Sequence, residues 1–221
     1  MRKHWDQVSE KMSTIPSPSL LLLTDRTRLT PNWTLAQAIA PAITGGCNLV
    51  VLRESDLPAN HRRTVAGFVV DGVKCRVPLV VAEDAALAAE IGAEGAHFWS
   101  AESIASAREL LGANALIGVS VRDRPEAERG MAAGADYLLI EYEWSSPERV
   151  LAHFRALRDG ISVPVIIGTD MAFELVSECV AAGAAGIAIC APAMAAYDRT
   201  TACREYADAL TRAADNKRGG V

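Results

Sequence analysis

Eight short apolar runs, each followed by a stretch with helical spacing, constrain this chain more than any other feature it has. The runs fall at 20–24, 48–53, 78–82, 96–98, 116–121, 137–141, 163–167 and 186–190. Most are rich in Val, Ile and Leu without polar alternation, as parallel strands covered on both faces must be. The intervening segments predict helices over 34–43, 58–73, 85–91, 101–111, 125–133, 147–158, 172–182 and 193–213. Pro58, Pro125 and Pro147 stand at helix starts, where a missing N–H is harmless. Pro41 is expected to bend the first helix or end it early. Ile91-Gly92-Ala93, Ala133-Gly134-Ala135 and Ala182-Gly183-Ala184 close three helices in one way, with a glycine free to turn left-handed. Short joints between strands and helices imply right-handed parallel crossovers. An open doubly wound sheet would satisfy this, but eight evenly spaced units favour a closed single (β/α)8 TIM barrel. A length of 221 residues, half of them hydrophobic, holds one such barrel and little else.

The barrel is assigned to 19–215. Residues 1–18 are expected to form an extra N-terminal helix, with Trp5, Val8 and Met12 on one face, and a linker through Pro16 and Pro18. Residues 216–221 are expected as a flexible tail. A net charge of −5 with dispersed basic residues argues against nucleic acid or an anionic membrane as partner. The apolar run at 20–23 is far too short to span a bilayer, which takes about 20 residues, and the first residues lack the apolar core of a secretory signal. A cytoplasmic protein with a small-molecule ligand is the expectation. The five cysteines form no CxxC pair and are expected to be reduced and buried.

In a barrel of this kind the reactive groups lie at the carboxyl ends of the strands. Those positions hold Thr24, Asp25 and Arg26; Arg53 and Glu54; Glu83 and Asp84; Trp99, Ser100 and Glu102; Ser120, Arg122 and Asp123; Glu141 and Glu143; Thr169 and Asp170; and Cys190. Acids outnumber bases, so the mouth is expected to be acidic. Glu141 and Glu143 are expected to be solvated loop carboxylates rather than an acid/base pair. Trp99 and Trp144 could stack on an aromatic ligand or plug the mouth. His97 is expected to be a hydrogen-bonded structural histidine. Ser120 has no histidine near it in the chain, so hydrolase chemistry of the serine triad type is not expected.

Several segments, in order and at matching spacing, resemble the thiamine phosphate synthase and TenI family. Leu22-Leu23-Thr24-Asp25-Arg26 is similar to the family's first strand, and Val50-Val51-Leu52-Arg53-Glu54 to its Val-Gln-Leu-Arg-Glu. Gly92-Ala93-Glu94-Gly95-Ala96-His97-Phe98 resembles its Gly-Ala-Asp-Gly-Val-His-Leu, and Ile117-Gly118-Val119-Ser120 its Ile-Gly-Val-Ser. Gly134-Ala135-Asp136-Tyr137 follows at the family spacing. Gly183-Ala184-Ala185-Gly186-Ile187-Ala188 is similar to the last strand. The resemblance implies a thiamin-biosynthetic transferase that joins a pyrimidine diphosphate to thiazole phosphate, releasing pyrophosphate with Mg2+. It implies Arg53 for pyrophosphate, Ser120 near the leaving group and Glu83 with Glu102 as metal ligands. Thr24, His97, Arg122, Gly168 and Thr169 would line the substrate site. It also leaves room for a homo-oligomer.

The chain departs from the family pattern in places that bear on chemistry. Val51 and Ser55 replace a glutamine and a lysine, and Ala82-Glu83 replaces Asn-Asp. Leu139 and Glu141 stand where the family has small glycines, and larger side chains there would fill part of the pocket. Thr169-Asp170 falls at a phosphate-binding Gly-Gly, and Cys190-Ala191-Pro192 at an expected serine. The thiazole tautomerase branch uses a histidine just after Gly-x-Ser, where Arg122 stands, so that activity is less supported. The alternative to the synthase is a divergent member that has lost the reaction and takes another ligand, not necessarily phosphorylated.

Overall fold

The computed structural model describes residues 14–73, 76–141, 147–168 and 173–219. The expected N-terminal helix, together with Glu143, Trp144, Thr169 and Asp170, lies outside the described residues.

Eight parallel strands close into a barrel in sequence order, with the last pairing to the first. They are β1 (Ser19–Leu23), β2 (Leu49–Leu52), β3 (Leu79–Ala82), β4 (Gly95–Phe98), β5 (Leu116–Ser120), β6 (Tyr137–Glu141), β7 (Val165–Gly168) and β8 (Gly186–Ile189). Around them run α1 (Leu35–Thr44), α2 (Ala59–Val73), α3 (Ala85–Ile91), α4 (Ile104–Leu111), α5 (Arg124–Ala132), α6 (Pro147–Arg158), α7 (Val176–Ala181), α8 (Ala191–Met194) and α9 (Arg199–Gly219). Nearly every strand residue is buried, because helices cover one face and the filled barrel interior the other. Each buried Leu, Ile or Val contributes about 1.5–3 kcal/mol relative to exposure.

Local chemistry explains most element ends. Gly92, Gly134 and Gly183 have φ of 71°, 89° and 108°, a region open to glycine but costly to other residues. Thr34 and Gln37 form a reciprocal capping box at the start of α1. Three expectations need correcting. First, α1 runs through Pro41 to Thr44, because proline forfeits one ladder bond while its own carbonyl still accepts from Gly45 at 2.8 Å. Second, the predicted helices at 101–111 and 172–182 begin instead as 3-10 turns, Ala101–Ser103 and Phe173–Leu175. Third, the predicted helix at 193–213 is two helices. α8 ends at Met194, and Asp198 then accepts from Thr201 N at 3.0 Å to start α9, which runs on to Gly219.

One buried cation was not foreseen. Arg199 is 2% exposed, lies 3.9 Å from the ring centre of Trp33, and donates to Thr30 Oγ1 and the Met194 carbonyl. Its planar fork and stacking face thereby pin the segment after β1 onto α8 and α9. Cys47, Cys179, Cys190 and Cys203 are buried and in no disulfide among the described residues.

Candidate active site

Thr24 sits just past β1, fully buried, and its hydroxyl does two jobs. It donates to Glu54 Oε1 at 2.9 Å and accepts from the Arg53 backbone N–H at 2.9 Å, stitching the ends of β1 and β2 together. Glu54 is itself buried, which pushes its carboxyl pKa up against the opposing hydrogen bonds from Arg26 and Thr24. Arg26 bridges Glu54 at 3.0 Å and Asp56 at 2.6 Å. This knot holds Arg53 at the strand end and turns its guanidinium across the mouth to Glu141 Oε2, at 2.6 Å.

From Glu141 a line of polar groups runs down into the barrel. Ser120 Oγ is 3.4 Å from Glu141 Oε1, His97 Nε2 is 3.0 Å from Ser120 Oγ, and Tyr137 Oη is 3.0 Å from His97 Nδ1. His97 and Tyr137 are wholly buried. The expectation that Ser120 lacks a histidine is therefore wrong. The two residues are distant in sequence but sit on adjacent strands, where His97 pairs in register with Gly118, two residues before Ser120. The hydrolase expectation itself stands on different ground. Burial and the Arg53 charge hold the His97 pKa down to about 3, so it is a neutral, weakly basic imidazole, and a tyrosine hydroxyl stands at Nδ1 where a triad would have a carboxylate. Tyr137, whose phenol burial drives well above the usual range, stays protonated. One proton pattern satisfies every group in the line. Tyr137 donates to Nδ1, Nε2–H donates to Ser120, and Ser120 donates to Glu141. Ser120 is then a fixed donor at the mouth, and His97 its structural support.

The neutrality of His97 carries a stability prediction. The unfolded chain takes up a proton below about 6.5, whereas the folded chain refuses it until about 3. The stabilisation is complete above 6.5 and is lost as pH falls through that window, at about 1.4 kcal/mol per pH unit. Urea midpoints measured between about pH 6.5 and 5, above most carboxylate titration, should show this slope. His97→Gln should abolish it, and an unchanged slope in the variant would assign the effect to another group.

The acidic mouth read from the sequence is mostly committed. Asp25, Asp84 and Asp123 cap helical turns through their side chains. Glu83, which adopts a left-handed φ of 59°, accepts from the Trp99 backbone N–H at 2.5 Å. The cations are equally engaged. Arg62 bridges Asp84 at 2.9 Å, and Arg122 is tied to Glu126 with 85% of its side chain exposed. Trp99, Ser120, Val121, Arg122, Glu126 and Glu141 line a cleft of about 380 Å3. Trp99 stands edge-on to His97 at 5.3 Å between centroids and is 41% exposed, so it forms a wall of the cleft rather than a plug. Gly168 ends β7 opposite Glu141. A Cβ there would lie 3.5 Å from Glu141 Cγ and 3.3 Å from both Leu139 Cδ1 and Ala188 Cβ.

The structure thus brings together Arg53, Ser120, His97 and Gly168 around Glu141, with Thr24 behind Arg53. Glu83 and Glu102 are both exposed and follow the adjacent strands β3 and β4, Glu102 on the 3-10 turn Ala101–Ser103. Among the described residues, no three His, Cys, Asp or Glu side chains form a metal cluster. Tyr137 and the engagement of Glu141 with Arg53 escaped the sequence reading. The signal for the first was Gly118, since a glycine inside a strand marks a close approach.

A model of the thiamine monophosphate synthase family matches residues 20–192. The chain is 33% identical to a thiamine-phosphate synthase of Nitrosococcus oceani, over 81% of this chain and 87% of that one. It is 34% identical to a thiamine-phosphate synthase of Natronomonas pharaonis, over 82% and 90% of the two chains. A solved thiamine phosphate pyrophosphorylase from Pyrococcus furiosus superposes with a TM-score of 0.76 at 24% identity, covering 88% of this chain and 96% of its own.

Proposed function

The chain belongs to the thiamine monophosphate synthase family, and from that premise we propose that it joins a pyrimidine diphosphate to thiazole phosphate, releasing pyrophosphate. The observation that carries this reading is the convergence of Arg53 and Ser120, a cation and a fixed hydroxyl donor, on one carboxylate at the barrel mouth, Ser120 and Glu141 lining an open cleft. A departing pyrophosphate gathers negative charge, and donors already aimed at the place where that charge develops need no reorganisation. Arg53 supplies the charge-assisted contact. Ser120, kept in its donor orientation by His97 and Tyr137, supplies the second. Trp99 offers a flat wall for an aromatic ring. Gly168, with Thr169 beyond it, lets a phosphate approach backbone that a side chain would otherwise screen.

Glu83 and Glu102 fit Mg2+ by donor chemistry. Both are hard oxygen donors at neighbouring strand ends, and Mg2+ is commonly bound by one or two carboxylates together with substrate phosphates. Mg2+ held there would neutralise part of the leaving-group charge. Arg122 borders the cleft and serves as an outer contact for the second phosphorylated substrate once it parts from Glu126. No helix among the described residues is long and apolar enough to cross a membrane, and we assign the reaction to the cytoplasm.

The test is turnover by the full chain supplied with both substrates and Mg2+, read as pyrophosphate release together with the coupled product. Product formation supports the synthase reading. Absence of product from correctly folded protein would overturn it in favour of a family member that has given up this reaction.

A further inference from the structure

We propose that Glu141 is an internal counter-anion for Arg53, a specificity-determining residue that sets the threshold an incoming anion must exceed to enter the mouth. The proposal rests on the synthase reading for the identity of that anion. Glu141 Oε2 lies 2.6 Å from Arg53, and Oε1 is 3.4 Å from Ser120 Oγ. One carboxylate therefore engages both groups assigned to the leaving pyrophosphate. The neighbouring cations have counter-anions of their own, Arg26 in Glu54 and Asp56 and Arg122 in Glu126.

The geometry allows Glu141 to yield. Its side chain is 27% exposed, that of Arg53 22%, and Gly168, its register partner on β7, presents no side chain to hold the carboxylate in place. A pyrophosphate that reaches Arg53 replaces one carboxylate with a group of higher charge, so it can win the guanidinium. An orthophosphate, with less charge and fewer oxygens, gains much less from the same exchange. When pyrophosphate leaves, Glu141 closes back onto Arg53 and opposes its return. The pair is intermediate between exposed pairs, which contribute little, and buried ones, which are costly to break, so neutralising Glu141 should tighten pyrophosphate binding about tenfold.

Calorimetric titration of inorganic pyrophosphate, at fixed excess Mg2+, into the wild-type chain, Glu141→Gln and Glu128→Gln tests this. Glu128 is an outer-helix carboxylate paired with Arg124 at 2.9 Å and controls for the general change in charge. The expected result is about tenfold tighter binding to Glu141→Gln alone, with orthophosphate binding rising as well. Glu141→Ser removes the same charge and should reproduce the gain should the glutamine variant fold poorly. Equal or weaker binding by both Glu141 variants, or no binding by any protein, overturns the proposal. Wild-type turnover judges the synthase reading separately. Turnover without an affinity gain sinks only the role of Glu141, whereas a gain without turnover sinks only the reading.

Discussion

Replacing Arg53 with methionine should lower kcat/KM for the coupling reaction by about 10²–10³-fold, the usual loss when one preorganised charge-stabilising donor is removed. Methionine keeps the length and packing of the stem while deleting the guanidinium. The change also leaves Glu141 without its partner at 2.6 Å. A drop in stability would therefore accompany the drop in rate, and the two must be separated. The double variant Arg53→Met, Glu141→Gln does so. It removes the stranded carboxylate, so the thermal midpoint should recover most of its loss while kcat/KM stays low. Coupling of this sort is expected between residues in direct contact. If rate and midpoint recover together, Arg53 acts through folding rather than on the leaving group.

The same cluster marks the boundary of what a single sequence discloses. The barrel was legible because its cause is repetitive. Eight apolar runs without alternation, separated by helices that end on glycine, leave few other ways to cover both faces of a parallel sheet. The candidate groups were legible one by one, since strand ends can be counted along the chain. Their partnerships were not. Asp25, Asp84 and Asp123 read as mouth acids, yet each is consumed by a helix cap. The Asp123-to-Glu126 spacing already carried a capping signal, and Arg122 goes with it through Glu126. Glu141, at the end of the sixth strand, read as a solvated carboxylate, yet it answers Arg53, just past β2, across the barrel. Contacts that cross a closed barrel depend on register and stagger, and no local pattern encodes them. The helix expected at 193–213 failed for a related reason. Its interruption is fixed by a cap at Asp198 and by Arg199 reaching back to Thr30, a residue from the other end of the chain.

Gly118→Ala should be strongly destabilising, lowering stability by about 3 kcal/mol or more, at the upper end for overpacking a core. In register, His97, Gly118 and Tyr137 stand side by side on β4, β5 and β6. The Tyr137 ring reaches His97 by lying across the position where residue 118 would carry its side chain. An added Cβ would sit 2.1 Å from Tyr137 Cζ and 2.5 Å from its hydroxyl. The ring is fully buried and rigid, so the clash cannot be relieved by a flexible tip, and moving the ring leaves His97 Nδ1 unpaired in an apolar interior. A thermal midpoint about 6–12 °C lower is the expected reading for a domain of this size. Tyr137→Phe provides the comparison, since it deletes the same hydrogen bond with no clash and should cost only about 1–2 kcal/mol. Both variants free His97 to turn, and with it the proton that fixes Ser120 as a donor. Both should then lower kcat, Gly118→Ala measured at a temperature where it is still folded. A Gly118→Ala protein as stable as the wild type would mean that Tyr137 does not lie over this glycine. The support assigned to Ser120 would then have to come from elsewhere.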